Sequence, residues 1–270
     1  MRAIIKGILL FLNIFICIGV LTVTRSILVL FTIKRKFLVS YIVHLFGKIF
    51  TLILGIKVKV SGEKSLLKKR GVLFVSNHLS YIDGIVMTSL SPLVFIGRSD
   101  LRFWPLFGLF SFLSYTIFVN RNSPLNIQKE IGRIVSFLKD KVNVVLFPEG
   151  TSSEGTRLLA FRSSFFVAPL EAKSPTVCLA IKYKKINSED INDKNKDLVY
   201  WYGDMNFFPH LLGVLKLEEI LVEVNVCGAL EDLEIKDKST SLQRKYLCDA
   251  CQKVIEYHLG YGKSPSRNGN

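Results

Sequence analysis

The sequence predicts an α/β fold, a single layered domain with a mostly parallel central sheet flanked by helices, behind an N-terminal pair of apolar helices. Short apolar runs of strand length recur along the chain, and segments with helical spacing lie between many of them. These runs are largely apolar rather than alternating, which is typical of strands covered by helices on both faces. At the N-terminus, by contrast, apolar residues continue far beyond the length of a strand.

The first 56 residues are predicted to form a two-helix membrane anchor. Between Lys6 and Arg25 lie 18 uncharged residues, which is about the shortest run that spans a bilayer as a helix. The alternative is a cleaved signal peptide. The apolar region is longer than such a peptide needs, and no small-x-small cleavage site follows it. An uncleaved anchor is therefore the better interpretation.

The second anchor helix is predicted to be amphipathic. Within the apolar stretch 37–56, polar residues recur every four positions and form one stripe, at Ser40, His44 and Lys48. Such a helix suits the plane of the membrane interface, or it packs against the first helix. We interpret His44 as a solvated residue of this stripe rather than a catalytic one.

From Lys57 the pattern changes to that of a soluble domain, which we expect to run to residue 260. Strand-like runs are predicted at 57–60, 72–76, 94–96, 116–119, 142–147, 177–183 and 221–226. Helical spacing is predicted at 81–90, 103–113, 127–139 and 240–259. The polar stretch 187–196 is predicted to be a surface loop. The tail 261–270, rich in glycine, serine and asparagine, is predicted to be disordered.

Composition favours a membrane surface over nucleic acid as the partner. The 270 residues carry a formal net charge of +14, yet 49% of them are hydrophobic and the mean hydropathy is +0.34. A chain that is both basic and unusually apolar suits an anionic lipid surface. No zinc-finger, RRM or KH signature is present, so we expect no nucleic-acid partner. Nothing in the sequence specifies an oligomeric state.

The cysteine pattern fits a reducing compartment. The five cysteines are an odd number, widely scattered and without a framework spacing. Cys248 and Cys251 form a single Cys-x-x-Cys inside a helical pattern, and no second pair answers it. We interpret these two as helix packing residues, with zinc or redox chemistry as the alternative.

A histidine and an aspartate five residues apart, His78 and Asp83, form the first candidate for chemistry. Within one helix they would lie about 140° apart around the axis and could not touch. For contact, His78 must lie in the turn after a strand and Asp83 on the following helix, with Ser76, Asn77 and Ser80 as capping residues. A carboxylate on one ring nitrogen leaves the other free as a proton acceptor, which makes a general base. The alternative is an ordinary helix cap.

Three further stretches carry candidate binding residues. The strand-like Phe118-Val-Asn-Arg121 delivers an arginine, and so does Phe161-Arg162 further on. Between them a strand meets the turn Pro-Glu149-Gly150-Thr151. Forked arginines suit a phosphate, Glu149 could accept from a hydroxyl or hold an arginine, and Gly150 lets the backbone approach an anion. Taken singly, each stretch also fits a surface arginine or a plain strand-to-loop turn.

In this order, the stretches resemble the glycerolipid acyltransferase family, the 1-acyl-sn-glycerol-3-phosphate acyltransferases and other lysophospholipid acyltransferases of the His-x4-Asp type. The resemblance covers about residues 57–230. The matching blocks read SNHLSYID, FVNR and FPEGTSSEGTRLLAFR, with 97–108 ahead of the second block and a looser match at 175–183. One departure is Ser152, where the commoner members have an arginine. A phosphate ligand is missing there, or Arg157 replaces it.

The resemblance implies a direct acyl transfer. His78, oriented by Asp83, would take the proton from a lysolipid hydroxyl, whose oxygen attacks an acyl thioester. Neither a Gly-x-Ser-x-Gly elbow nor a cysteine near His78 in sequence is present to form an acyl-enzyme. No metal or cofactor is called for, and the donor is acyl carrier protein thioester or acyl-CoA. The substrate-binding residues implied are Arg121, Glu149, Gly150, Thr151, Arg157 and Arg162.

The resemblance also implies an acceptor and a place in the cell. The acceptor would be 1-acyl-sn-glycerol-3-phosphate, giving phosphatidate in phospholipid biosynthesis at the cytoplasmic side of a bacterial-type inner membrane. One alternative is a lyso-ornithine lipid, because Ser152 is not arginine and the stretch 200–210 resembles a bacterial branch that includes lyso-ornithine lipid acyltransferases. That aromatic stretch also fits a strand and turn packed on the core, with Asp204 and His210 as candidate headgroup contacts. Further alternatives are a lipid hydrolase and a non-catalytic membrane-bound protein.

Overall fold

The computed structural model describes residues 1–29, 32–104, 106–119, 124–230 and 239–262, without the side chains of 32–34 and 124–126. Within these residues the helices are α1 Arg2–Ile27, α2 Thr32–Leu54, α3 Ile82–Leu90, α4 Phe107–Leu113, α5 Pro124–Lys139, α6 Val167–Ala172, α7 Phe207–Lys216 and α8 Thr240–Leu259. The strands are β1 Ile56–Gly62, β2 Leu73–Ser76, β3 Leu93–Arg98, β4 Ile117–Val119, β5 Asn143–Leu146, β6 Thr176–Ile186, β7 Glu189–Asp190 and β8 Ile220–Leu230.

All of these strands join one sheet in the order β1-β8-β6-β2-β5-β3-β4, with β7 paired to the end of β6. The five strands from β6 to β4 in this order run parallel, whereas β8 is antiparallel to β6. The mostly parallel sheet expected from the sequence is confirmed. Because parallel strands end at one edge, the loops that follow β2 and β5 lie side by side.

Two helical layers cover the central strands. Leu73 and Val75 of β2 pack against the layer of α5, α6 and α8, whereas Phe74 packs against that of α3 and α7. All four residues of β2 are buried, which explains why the run is apolar without alternation. Cys248 and Cys251 are buried on α8 in the first of these cores, as expected of packing residues.

The first anchor helix, α1, lies along the domain rather than projecting from it. Its 26 residues have a mean hydropathy of 2.6, and α2 reaches 2.0 from Arg35 to Leu54, so both are long and apolar enough to cross a membrane. Most of the apolar side chains of α1 are exposed. The Lys6 ammonium donates to the carbonyls of Leu54 and Leu217, at 2.9 and 2.8 Å. The Arg25 guanidinium donates to two carbonyls at the end of α4.

The polar stripe of α2 faces the domain, so the interpretation of His44 as solvated is wrong. His44 is buried, and its Nδ1 lies 2.6 Å from the carbonyl oxygen of Thr88 near the end of α3. The last carbonyls of a helix lack partners within it, and the imidazole N–H supplies one. Ser40 is buried as well, and only Lys48 of the stripe is exposed.

Three differences from the predicted elements concern short or aromatic segments. The helix predicted at 103–113 begins at Phe107, after a 3₁₀ turn at Ser99–Phe103, and α6 was not predicted. The aromatic stretch 200–210 contains no strand: it turns and then enters α7 at Phe207. Of the tail predicted to be disordered, residues 263–270 lie outside the described residues.

Candidate active site

The loop between β2 and α3 brings His78 and Asp83 into contact. The strand ends at Ser76, His78 lies in the loop, and Asp83 lies in the first turn of α3. The His78 Nδ1 is 2.9 Å from the Asp83 Oδ2. Because the carboxylate can only accept a hydrogen bond, Nδ1 carries the hydrogen and Nε2 is the acceptor nitrogen. Nε2 has no hydrogen-bond partner among the described residues.

Asp83 is fully buried and accepts four hydrogen bonds. Besides His78, the backbone N–H groups of Leu79 and Ser80 donate to Oδ2, at 2.6 and 2.9 Å. The hydroxyl of Tyr183 donates to Oδ1 at 2.7 Å. A buried carboxylate is stable only when its oxygens are satisfied in this way. The aspartate therefore fixes the loop and the imidazole together.

The residues expected to cap α3 act differently. Asn77 accepts from the Ile181 N–H at 2.8 Å and donates to the Ile181 carbonyl at 3.0 Å, so its amide extends the pairing of β2 with β6. The Ser80 hydroxyl is 3.4 Å from the Ile82 N–H, a long capping bond. The backbone N–H groups of Leu79 and Ser80 donate instead to Asp83, which lies in the first turn of the helix. The capping assignment of Asn77 is wrong, since its side-chain amide bonds to the backbone of β6.

The loop after β5 supports His78 from the other side. The ring of Phe147 stacks on the imidazole at 4.2 Å between centroids, with 16° between the planes. The His78 N–H donates to Glu149 Oε1 at 2.7 Å, and its carbonyl accepts from the Ser153 N–H at 2.9 Å. The imidazole keeps 22% of its side-chain surface exposed. A ring fixed by Asp83 and Phe147, with part of its surface still exposed, can meet a substrate.

Glu149 lies inside the loop rather than on its surface. Its second oxygen accepts from the Leu159 N–H at 3.0 Å, so the carboxylate joins two backbone segments. Burial raises the pKa of this carboxyl to about 7, and the two backbone hydrogen bonds oppose the rise. The next residue, Gly150, has a φ of +81°, where a glycine is favoured. A direct contact of either residue with substrate stays a prediction.

The predicted cationic ligands have different positions. Arg162 is exposed, and its backbone N–H donates to the Pro148 carbonyl beside the Glu149 turn. Arg157 is exposed and lines a cavity of about 220 Å³, as do Lys182 and Lys184. Thr151, which precedes both arginines in sequence, is also exposed. Arg121, the remaining predicted ligand, lies outside the described residues.

An aromatic cluster borders the His78 loop. The Tyr81 hydroxyl is 3.0 Å from the His210 Nδ1, and the His210 Nε2 is 2.9 Å from the Tyr200 carbonyl. Since only an N–H can bond that carbonyl, His210 accepts from Tyr81 through Nδ1. Trp201 and Phe207 pack edge-on against the Tyr81 ring. Asp204, the other candidate headgroup contact, is exposed in the turn before α7.

Fold and site together define a layered α/β protein that carries an imidazole–carboxylate pair at the carboxyl edge of its sheet, with two apolar helices along one side. The Acyltransferase family model matches residues 57–182, which contain both members of that pair. The chain belongs to this acyltransferase family, as the following relatives also show.

Two of these relatives are lyso-ornithine lipid O-acyltransferases. The protein of Rhizobium meliloti is 37% identical over 191 residues, 68% of this chain and 65% of its own length. That of Brucella abortus is 33% identical, over 67% of this chain and 70% of its own. The 1-acyl-sn-glycerol-3-phosphate acyltransferase of Neisseria gonorrhoeae is 30% identical, over 71% and 72%. The chain thus spans just under two thirds of the Rhizobium protein.

A solved structure has the same fold. The crystal structure of the 1-acyl-sn-glycerophosphate acyltransferase PlsC from Thermotoga maritima aligns with a TM-score of 0.58, covering 98% of this chain and all of that one, at 21% identity. The N-terminal helices are part of the aligned region, because the coverage leaves room for few unmatched residues. The α/β domain and its helical pair therefore form one shared architecture.

Two features of the site could not be predicted from the sequence: the hydrogen bond of Tyr183 to Asp83, and the pairing of the Asn77 side chain with β6. Each side chain contacts its partner across about a hundred positions of sequence. The one available signal for Tyr183 was its place in the alternation of β6, where Leu179, Ile181 and Tyr183 share the face that packs towards α3. A tyrosine on such a face also fits a plain core residue, so the pattern alone could not assign it.

Proposed function

We propose that this protein transfers a fatty acyl group from an acyl thioester to the free hydroxyl of a lysolipid in the membrane. The single observation that carries the proposal is the His78–Asp83 pair, with Nδ1 held by a buried carboxylate and Nε2 left as an acceptor on a partly exposed ring. This is the arrangement of a general base with its orienting group. Membership of the acyltransferase family supports acyl transfer as the reaction that the base serves.

In the proposed reaction, Nε2 of His78 takes the hydroxyl proton while the oxygen forms a bond to the thioester carbonyl carbon. The imidazolium that results is stabilised by Asp83. The tetrahedral intermediate collapses with cleavage of the C–S bond, and the departing thiolate receives the proton from His78. The base therefore returns to its starting state, and the products are an ester and a free thiol.

The test of this reaction is product analysis with purified full-length protein in mixed micelles. A labelled acyl thioester and a lysolipid should give labelled diacyl lipid and an equal amount of free thiol. Free fatty acid as the main labelled product would replace the transferase with a hydrolase that uses the same pair on water. No product of either kind, with every donor and acceptor offered, would support a non-catalytic membrane protein.

Two acceptors fit the proposal, and different observations favour them. Lysophosphatidate is favoured by Arg157 and Arg162, which are exposed and have no ion-pair partner among the described residues. Lyso-ornithine lipid is favoured by sequence identity. The two lyso-ornithine lipid O-acyltransferases are 37% and 33% identical to this chain, whereas the 1-acyl-sn-glycerol-3-phosphate acyltransferase of Neisseria gonorrhoeae is 30% identical. Ser152 adds to the second case, since it is buried and uncharged.

A competition assay decides between the acceptors. Equal amounts of lysophosphatidate and lyso-ornithine lipid are offered together, first with acyl carrier protein thioester and then with acyl-CoA as donor. Exclusive acylation of one lipid assigns the acceptor, and the ratio of kcat/KM for the two thioesters assigns the donor. Because the net charge is +14, steering of an acidic carrier protein should make its kcat/KM fall as salt increases.

The cytoplasmic face of an inner membrane is the proposed location. A thioester donor is made in the cytosol, so the carboxyl edge of the sheet, which carries the site, must face that side. Exposed apolar residues on α4 and α7, including Phe112, Phe208 and Leu212, lie beside α1 and extend its apolar surface. We propose that this continuous surface rests in the lipid, with the sheet edge at the headgroup level.

A further inference from the structure

A tyrosine hydroxyl lies directly behind the candidate catalytic pair. Tyr183 is in the last third of β6, which continues well beyond the point where its neighbour β2 ends at Ser76. The longer strand therefore passes beside the His78 loop. The Tyr183 side chain is buried there, and its hydroxyl donates to Asp83 Oδ1 at 2.7 Å.

We propose that Tyr183 is a positioning residue for acyl transfer, which holds the Asp83 carboxylate in its rotamer and shares the negative charge that Asp83 presents to His78. The inference rests on the proposed function, because it assigns Tyr183 to the same reaction. Tyr183 acts through Asp83.

The division of donors between the two carboxylate oxygens supports this role. Oδ2 accepts three hydrogen bonds, from one imidazole and two backbone groups, whereas Oδ1 has Tyr183 as its one donor among the described residues. Without the hydroxyl, Oδ1 would be a buried and unpaired acceptor. The carboxylate would then turn or draw in water, and the His78 ring would lose its fixed direction.

The surroundings keep the hydroxyl protonated. Burial, followed by the nearby Asp83 charge, raises the pKa of Tyr183 well above its ordinary value. The ring is fixed by an edge-on contact with Tyr200 at 5.4 Å between centroids. The other titratable groups around the carboxylate are His78, Glu149, Tyr81 and Tyr200. Tyr183 is thus a neutral donor at any pH at which an ester-forming enzyme works.

The primary test replaces Tyr183 by phenylalanine, which keeps the ring and removes the donor. In Tyr183→Phe, kcat should fall about tenfold, the loss expected for one hydrogen bond to a charged group, with KM nearly unchanged. Without the Tyr183 donor, the negative charge of Asp83 acts more strongly on His78 and favours its imidazolium form. The acid limb of the kcat/KM profile should therefore move to higher pH. A packing role alone would leave that limb in place.

Tyr115→Phe is the matched control. The Tyr115 hydroxyl is buried and has no hydrogen-bond partner in the part of the chain that the structure describes. It precedes β4, at the sheet edge opposite the site. Its removal should leave kcat and the acid limb unchanged. In an Asp83→Asn background, where no carboxylate charge remains to be shared, Tyr183→Phe should also change kcat far less than in the wild type.

One readout is independent of acyl transfer. Nuclear magnetic resonance of ¹⁵N-histidine in the full-length protein follows the titration of the His78 ring in wild type and in Tyr183→Phe. A shift of the titration midpoint to higher pH in the variant supports the inference, whether or not substrate is turned over. A lack of turnover by the wild type would contradict the proposed function alone. A folded Tyr183→Phe protein with unchanged kcat, acid limb and His78 titration would overturn it.

Discussion

At the scale of single residues, the site depends on carboxylates that are buried rather than exposed. Asp83 and Glu149 both accept hydrogen bonds from backbone N–H groups of the loops that they orient. Each carboxylate is therefore part of the local fold as well as of the site. The contact of His78 with Asp83 could be predicted, because an apolar strand precedes His78 and contact at this spacing requires a turn followed by a helix. The contacts of Tyr183 and Asn77 could not, because nothing local marks a partner a hundred residues away.

Replacement of His78 by alanine tests the assignment of the base. Turnover should fall by about 10²–10⁴-fold, the usual contribution of a proton-transfer group, while binding of the lysolipid remains. Rates and acceptor binding are measured on the same preparation, so that a folding defect is recognised. Turnover close to that of the wild type would show that another group takes the proton.

The raised pKa of Glu149 predicts a pH dependence of stability. In the unfolded chain this carboxyl loses its proton near pH 4.5, but in the folded protein only near pH 7. The folded state therefore binds the proton more tightly, and the free energy of unfolding should decrease as pH rises from about 4.5 to 7. Above that window the contribution stays constant. Thermal melts from pH 4.5 to 8 measure it.

The comparison that isolates this effect uses two glutamine variants. Glu149→Gln removes the titrating group, so its slope over the same window should be flatter than that of the wild type. Glu154→Gln, at an exposed carboxylate five residues further on, should keep the full slope. Equal slopes for all three proteins would assign the pH dependence to other groups.

At the scale of helices and strands, the sheet could be predicted because its central strands are continuous apolar runs of four to six residues. The start of α7 could not, because Phe207-Phe208-Pro209 follows a Gly-Asp turn and has no helical spacing. A proline is tolerated in the first turn of a helix, where its missing N–H has no partner to lose. The length of β6 was underestimated because two consecutive lysines, Lys184 and Lys185, break the apolar alternation after Tyr183.

The packing of α2 on α3 gives a prediction at this scale. A Cβ at Gly47 would lie 2.5 Å from the Thr88 Oγ1 and 3.0 Å from its backbone carbonyl carbon. Gly47→Ala should therefore push the helices apart and destabilise the protein by about 1–3 kcal/mol. At Gly19 of α1, a Cβ would meet nothing within 4 Å, so Gly19→Ala is the control and should not destabilise it. Equal melting temperatures for the two variants would contradict this packing.

At the scale of the whole molecule, the two predicted parts are not independent. The sequence suggests an anchor that ends at residue 56 and a separate domain beyond it. In the structure, α1 lies against α4 and α7, and α2 against α3. This could not be predicted, because apolar helices that enter lipid and apolar helices that pack on protein have the same composition. We expect the full chain to remain in the membrane fraction at high salt.

The exposed face of α1 offers a test of membrane contact that leaves the fold intact. Leu12 and Phe15 are exposed, so glutamate at both positions should cost little folding stability. It should nevertheless reduce binding to anionic vesicles, because charges would enter the lipid. Leu242→Glu, on the α8 side of the sheet, is the control and should bind normally. Undiminished vesicle binding by the α1 variant would place its face outside the membrane.

The hydrogen bonds at the two ends of α1 have a consequence for the membrane as a whole. Lys6 and Arg25 are about 28 Å apart along the helix. Both donate to carbonyls of the same domain, Lys6 to Leu217 and Arg25 to Phe112. If α1 crossed the bilayer upright, that domain would have to reach both surfaces, so the bonds favour a helix lying within one monolayer. Every lipid completed at this site would then add area to that monolayer alone. Balanced growth would require a separate step that moves lipid to the opposite side.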